Sequence, residues 1–301
     1  MDAAEQQGKT DPSTDGPCRD AERHGAGRCL TRRYGCPWEA CLAMVVMSGV
    51  CVGQSRADEP ASTEAPRPSA GETSAPRVPA EAKIAGGKLV ICGGGVLPIQ
   101  LRNRFIELAG GAVARVVVIT TASVYADTDK MESKLGFWRE QNLASLQILH
   151  TRSRLTADDP GFAAPLREAT GVWFVGGNQN WLTETYLGTV TEREIHGVLT
   201  RCGVVGGTSA GAAIMSPIMI LRDKPEVQTG PGFGFLPGTV VDQHFLKRNR
   251  QSRLLKVLDA YPDLVGLGID EGTGVVVEGN QLSVVGESQV VVCSQGAHAQ
   301  S

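Results

Sequence analysis

From residue 88 onward the chain alternates short, uninterrupted apolar runs with longer mixed segments. A strand that is apolar on both of its faces has to be covered on both faces. KLVIC (88–92), ARVVVITTAS (114–123), LQILH (146–150), GVWFVGG (171–177) and CGVVGG (202–207) read as five such strands. The segments between them carry helical spacing or helix-stop signals: LPIQLRNRFIELAGG, DKMESKLGFWREQN, a short DPGFAAPLREA, NQNWLTETYLG and VTEREIHGVLTR. Strands separated by helices imply a parallel sheet with helices on both sides. The expected fold is therefore an α/β three-layer sandwich with a mainly parallel sheet. After the helical stretch RQSRLLKVLDAY, the last part of the chain packs turn signals closely together, as in LVGLGIDEGTGVVVEGNQLSVVGESQVVVC. With PGTVVDQHF before it, this region reads as short antiparallel hairpins at the end or edge of the sheet.

The preceding third of the chain is different in kind. Residues 1–57 form a polar leader in which Arg32-Arg33 precede the apolar run ACLAMVVMSGVCVG (40–53). That run is too short to span a bilayer comfortably, since spanning needs about 20 apolar residues. Basic residues before it and small residues after it give the pattern of a secretory signal, with a cut before Asp58. Residues 58–83 are rich in Pro, Ala, Ser, Thr and Glu, without apolar periodicity, and read as a flexible linker. The folded domain is expected over 84–301. A secreted or periplasmic location follows, with no stable membrane insertion after processing.

Of the eight cysteines, five lie at or before residue 51, leaving Cys92, Cys202 and Cys293 in apolar, strand-like surroundings. An odd number in such places reads as buried thiols rather than a disulfide framework. No CxxC or HExxH spacing supports a metal site, and no cofactor is called for. The formal net charge of -3 gives no basis for an extended nucleic-acid surface.

In open α/β sheets, sites form at the carboxyl ends of the strands. Three glycine-rich stretches fall there: Gly93–Gly95, Gly176-Gly177 and Gly206-Gly207. The last runs into Gly207-Thr208-Ser209-Ala210-Gly211, a G-x-S-x-G sequence after a strand and before a small-residue helix start. That is the setting of a nucleophile elbow, in which a tight strand-to-helix turn lifts the serine hydroxyl above the sheet. The stretch has neither the lysine of a P-loop nor G-x-G-x-x-G spacing. A serine nucleophile needs a base. His24 and His298 lie near the termini, and His150 and His196 fit ordinary strand-end and mid-helix positions. His244, in the polar cluster DQHFLKRNRQSR after an apolar strand, is the expected base. The carboxylate that orients it is left among Glu271 and Asp270 in GIDEGT and Asp223 and Glu226 in the loop after Ser209. Glu271, at a strand end facing a turn, is the best placed.

Taken together, GGTSAGAAIMS, DQHFLKRNRQSRL, GIDEGT, VWFVGGNQ and ARVVVITTAS resemble the cyanophycinases of the S51 serine peptidase family, in the same order along the chain from about Lys88. This resemblance implies a class I glutamine amidotransferase-like fold and a serine exopeptidase. Its expected substrate is cyanophycin, an aspartate-backbone polymer with arginine on each side-chain carboxyl, cleaved to β-aspartyl-arginine dipeptides. Other S51 peptidases act on small aspartyl dipeptides, and a non-catalytic acidic-peptide-binding protein of the same fold is the alternative from another class. Ser209 matches the nucleophile, His244 the base and Glu271 the third member. Gly177 and Ala210 match the oxyanion amides. Gln179, Asp242, Gln243, Arg248, Arg250 and Arg253 match substrate-recognition positions. Arginine forks pair bidentately with carboxylates, which agrees with such a substrate. Members of that family often form homodimers, although no interface is visible in the sequence. One departure stands out: the family's GGDQ is GGNQ here, with Asn178 in place of the aspartate.

Overall fold

A computed structural model describes residues 86–223 and 225–295, together with the backbone of a short strand at 44–46. The leader, the cleavage site and the linker otherwise lie outside the described residues. Of the apolar run at 40–53, only β1 (Met44–Val46) is described. It pairs in parallel with Val290–Val292.

The chain then runs β2 (Lys88–Cys92), α1 (Ile99–Leu108), β3 (Arg115–Ile119), α2 (Lys130–Arg139), β4 (Ser145–Leu149) and α3 (Arg154–Ala157). A 3₁₀ turn at Ala164–Arg167 precedes β5 (Gly171–Phe174), α4 (Gln179–Tyr186), α5 (Val190–Thr200), β6 (Val204–Thr208) and the one-turn α6 (Ala210–Ala213). There follow β7 (Ile218–Arg222), β8 (Gln228–Pro231), β9 (Thr239–Gln243), α7 (Gln251–Ala260), β10 (Val265–Ile269), β11 (Thr273–Glu278), β12 (Gln281–Gly286) and β13 (Val290–Cys293).

The main sheet has the order β12-β11-β2-β6-β5-β3-β4. Its five central and outer strands β2, β6, β5, β3 and β4 are mutually parallel, while β11 and β12 form an antiparallel hairpin on one edge. The five apolar runs read from the sequence are these five parallel strands. Their alternate side chains enter two separate cores, as the period of two requires. Leu89, Ile91, Val117, Ile119, Val172 and Phe174 face α4 and α5. Val90, Cys92, Val116, Val118 and Trp173 face α1 and α2, where Phe105 and Trp138 meet Trp173 edge-on or tilted. The three-layer expectation holds.

The carboxyl-terminal region departs from a row of hairpins. Only β11–β12 is a hairpin on the main sheet. β9 and β10 are parallel to each other, joined through α7, and belong to a second sheet of order β1-β13-β10-β9. The physical reason is visible in the chain between them: α7 buries Leu254, Val257 and Leu258 against this sheet, and a helical crossover returns the next strand parallel. The expectation of three buried thiols also needs correction. Cys92 and Cys293 are free and buried, but Cys202 is disulfide-bonded. Among the described residues no helix is long and apolar enough to cross a membrane.

Candidate active site

The G-x-S-x-G segment forms the junction between β6 and α6. Ser209 has φ 53° and ψ -108°, a left-handed backbone in a residue that carries a Cβ. Such a conformation costs on the order of 1–3 kcal/mol and persists only where the surroundings impose it. Here the two flanking glycines impose it through close approach. A Cβ on Gly207 would stand 2.6 Å from the Gly211 carbonyl oxygen, and one on Gly211 would stand 2.5 Å from the Phe174 carbonyl oxygen. The motif's glycines are thus required by contact distances at this turn.

The hydroxyl that the turn presents meets a histidine from the other sheet. Ser209 Oγ lies 2.7 Å from His244 Nε2, and His244 Nδ1 lies 2.6 Å from Glu271 Oε1. The carboxylate oxygen accepts from Nδ1–H, which leaves the Nε2 lone pair to accept the Ser209 proton. The first contact is within the reach a general base needs. Burial lowers the pKa of His244 from its ordinary value and outweighs the hydrogen bond to Glu271; Arg248 and Arg250 push it further down. A histidine so placed is neutral, and able to accept a proton, at neutral pH. His244 also has a left-handed backbone, with φ 52°.

One short segment holds all three elements in register. The consecutive carbonyls of Cys92, Gly93 and Gly94, at the carboxyl end of β2, accept from the amides of Ser209 (3.0 Å), His244 (2.8 Å) and Gly272 (3.0 Å). The His244 ring lies so close over this segment that a Cβ on Gly94 would meet its Cε1 at 2.3 Å. Gly93–Gly95 therefore serves as the floor on which the imidazole and the Glu271 turn rest.

Of the four carboxylates left open by the sequence, Glu271 is the one that contacts the His244 ring. Asp270 accepts from the Lys247 amide and the Ser288 hydroxyl. Asp223 lies 3.9 Å from Arg253, and Glu226 lines a different depression with Lys256 and Tyr261. The proposed oxyanion donors sit beside the serine. Ala210 opens α6, and the Gly176-Gly177 loop passes so close that a Cβ on Gly176 would be 3.3 Å from Ser209 Cβ. Neither the Gly177 nor the Ala210 amide donates to a carbonyl among the described residues.

The residues matched to substrate recognition divide. Gln179 Nε2 donates to the Ile220 and Leu221 carbonyls and so ties α4 to β7. Asp242 is fully buried and receives Arg253 through both Nε (2.7 Å) and a terminal nitrogen. Burial pushes the Asp242 carboxyl upward against the pull of Arg253. Arg253 is itself 7 % exposed. Arg250 donates to the Gln243 carbonyl at 2.7 Å and stands 3.6 Å from Asp242. Arg248 is exposed, and Gln243 is buried at the end of β9. The row of three arginines is thus one inward ion pair, one half-buried neighbour and one solvent-facing cation. Asn178, where the family carries Asp, caps α4: its Oδ1 accepts from the Asn180 amide at 3.0 Å. The substitution preserves the cap, because either side chain offers an oxygen there.

A cleft of about 540 Å³ opens beside Ser209 and extends toward α1 and α2. Ser123, Tyr125, Arg102 and Lys134 contribute to its wall. The sequence reading missed this wall. Its residues sit singly on two helices and a loop, and only the packing of α1 and α2 over the sheet brings them together.

The model of peptidase family S51 matches residues 89–285. The chain is 31 % identical over 202 residues to a cyanophycinase of Geminocystis herdmanii, an alignment covering 64 % of this chain and 74 % of that protein. It is 33 % identical over 203 residues to a cyanophycinase of Synechococcus elongatus, covering 64 % of this chain and 62 % of that one. Among solved structures it resembles a peptidase from an acI-B1 actinobacterium, with a TM-score of 0.55 and 23 % identity over 71 % of this chain and 93 % of that one. A putative peptidase E protein from Listeria monocytogenes gives 0.50 and 16 %, over 67 % and 99 %. These two likenesses bear on the fold, and agree with a class I glutamine amidotransferase-like arrangement. With the family model matching residues 89–285, about two thirds of the chain, and a serine at the elbow of the central strand, the chain belongs to peptidase family S51, a family of serine peptidases.

Proposed function

We propose that this protein is a cyanophycin-hydrolysing exopeptidase in which Ser209, His244 and Glu271 form the catalytic triad. The observation that carries the reading is the unbroken contact chain from Ser209 Oγ through the His244 ring to Glu271, at 2.7 and 2.6 Å. Ser209 Oγ attacks the carbonyl carbon of a main-chain amide as its proton passes to His244 Nε2. Glu271 holds the ring in the required tautomer and stabilises the imidazolium that forms. The oxygen that gains charge is received by the Gly177 and Ala210 amides. His244 then returns its proton to the leaving amine, which departs and leaves an acyl-enzyme. Water attacks that ester, with His244 again taking a proton, and the serine is restored.

The relatives named cyanophycinases support the polymer as substrate, and β-aspartyl-arginine is the product that the sequence resemblance implies. Exposed Arg248 and half-buried Arg250 lie nearest the base and are suited to carboxylates along such a chain. The test is incubation of the purified protein with cyanophycin and mass analysis of what is released. The parent should release β-aspartyl-arginine, and a Ser209→Ala protein should release none while still binding the polymer. A parent that binds but never cleaves would instead mark a binding protein.

Export belongs to the same proposal and rests on Arg32-Arg33 followed by the apolar run at 40–53. Protein recovered from the host's periplasm or medium should begin near Asp58, a cut that removes β1 and leaves β13 as the edge of the second sheet. An intact Met1 confined to the cytosol would remove this part of the proposal.

A further inference from the structure

The cleft beside Ser209 is bordered by two cations, Arg102 on α1 and Lys134 on α2, and among its lining residues there is no carboxylate. Neighbouring arginines on the same two helices find an acidic partner instead. Arg104, two residues away on α1, does so with Glu107 and Glu278, and Arg139 on α2 does so with Glu132. Arg102 and Lys134 have no ion pair or hydrogen bond among the described residues. Both are instead set on aromatic faces. The Arg102 guanidinium carbon is 4.2 Å from the centroid of Phe137, and Lys134 Nζ is 5.0 Å from that of Tyr125. Ring contacts of this kind fix a cation's position while leaving its hydrogen-bond donors unused. The Nε–H of Arg102 is shielded from water and has no acceptor. Burial lowers the pKa of this guanidinium.

A solvent-accessible concavity lined by one sign of charge concentrates ligands of the other sign. We propose that Arg102 and Lys134 form a carboxylate-binding subsite, which receives a free carboxylate of the residue nearest the scissile bond. Apolar Trp138 and Trp173 lie deeper in the same cleft, so the carbon chain bearing that carboxylate has a surface to lie on. Arg248 and Arg250 approach from the His244 side, whereas this subsite lies on the α1 and α2 side. Ser209 then stands between two cationic regions, and the subsite selects peptides whose branch or terminal residue keeps its α-carboxylate free. The inference rests on the hydrolase reading given above.

Its test avoids turnover. In the Ser209→Ala protein, calorimetry measures binding of β-aspartyl-arginine and of the same dipeptide as its carboxyl-terminal amide. The acid should bind roughly tenfold to a hundredfold more tightly, the range that follows from losing hydrogen bonds to a charged group. Adding Arg102→Gln and Lys134→Gln should abolish that preference, and Arg102→Lys alone should retain part of it. Thermal melts establish that each variant is folded. Equal binding of acid and amide, a preference that survives both substitutions, or no binding of either ligand would overturn the subsite. An inactive parent in the cyanophycin assay would instead overturn the hydrolase reading, because calorimetry reads the subsite without chemistry.

Discussion

Asp242→Asn separates a structural role for the buried ion pair from a role in holding substrate. Asp242 is fully buried and its carboxylate is engaged by two nitrogens of Arg253, itself 7 % exposed, with Arg250 3.6 Å away. The asparagine is isosteric but uncharged. It leaves the buried Arg253 guanidinium with only the exposed Asp223 carboxylate, 3.9 Å away, as a counter-charge, and sets an amide NH₂ against one of its donors. Breaking a buried pair by removing one partner costs about 3–5 kcal/mol. For a domain of this size about 1 kcal/mol corresponds to 2–4 °C, so Tm should fall by roughly 6–20 °C. Replacing both partners with leucines should cost less than the single change, because no unpaired charge remains. Differential scanning calorimetry reads Tm, and cyanophycin hydrolysis well below Tm reads KM. An Asp242→Asn protein with unchanged Tm and a raised KM would refute this reasoning and assign Asp242 to the substrate.

Two further outcomes follow from the site. The base must be neutral to act, so kcat/KM should fall as pH drops through the His244 pKa, which burial holds below its usual 6.5. Glu271→Gln removes the carboxylate charge that raises this pKa, so the acid limb of a pH–rate profile should move to still lower pH while kcat falls by roughly 10³- to 10⁴-fold; a limb that stays in place would disconnect Glu271 from the base. Asn178→Ala should lose about 1 kcal/mol in chemical denaturation through its missing helix cap, whereas Asn178→Asp should stay within a few tenths, and equal losses in the two would show that the cap is not what Asn178 provides.

The main sheet was legible because parallel strands buried on both faces leave continuous apolar runs, and KLVIC or GVWFVGG have few other uses. The elbow was legible because its glycines answer a local steric demand that no other residue meets. The second sheet was not, since GTVVDQ and VGLGI pair only after α7 has folded between them, and neighbouring turn residues suggested hairpins. Nor could the chain reveal that Arg253 points inward. Residues 248, 250 and 253 look alike as a string, but Arg253 alone lies within α7, on the side facing β9. Glu271 was favoured on its position, while its contact with His244 depends on the meeting of β10 with the end of β2. Cys202 shows the reverse hazard, because an odd count of cysteines in apolar surroundings does not by itself exclude a disulfide.

The carbonyl ladder of Cys92, Gly93 and Gly94 makes one tripeptide the common datum for Ser209, His244 and the turn that carries Glu271, the members of the proposed triad, which come from different strands. Errors in placing any of them are measured from the same point and do not accumulate around a loop. Peripheral connections on either sheet can therefore lengthen or drift without detuning the chemistry. The corresponding weakness is that a local opening at this single strand end would extinguish all three functions together.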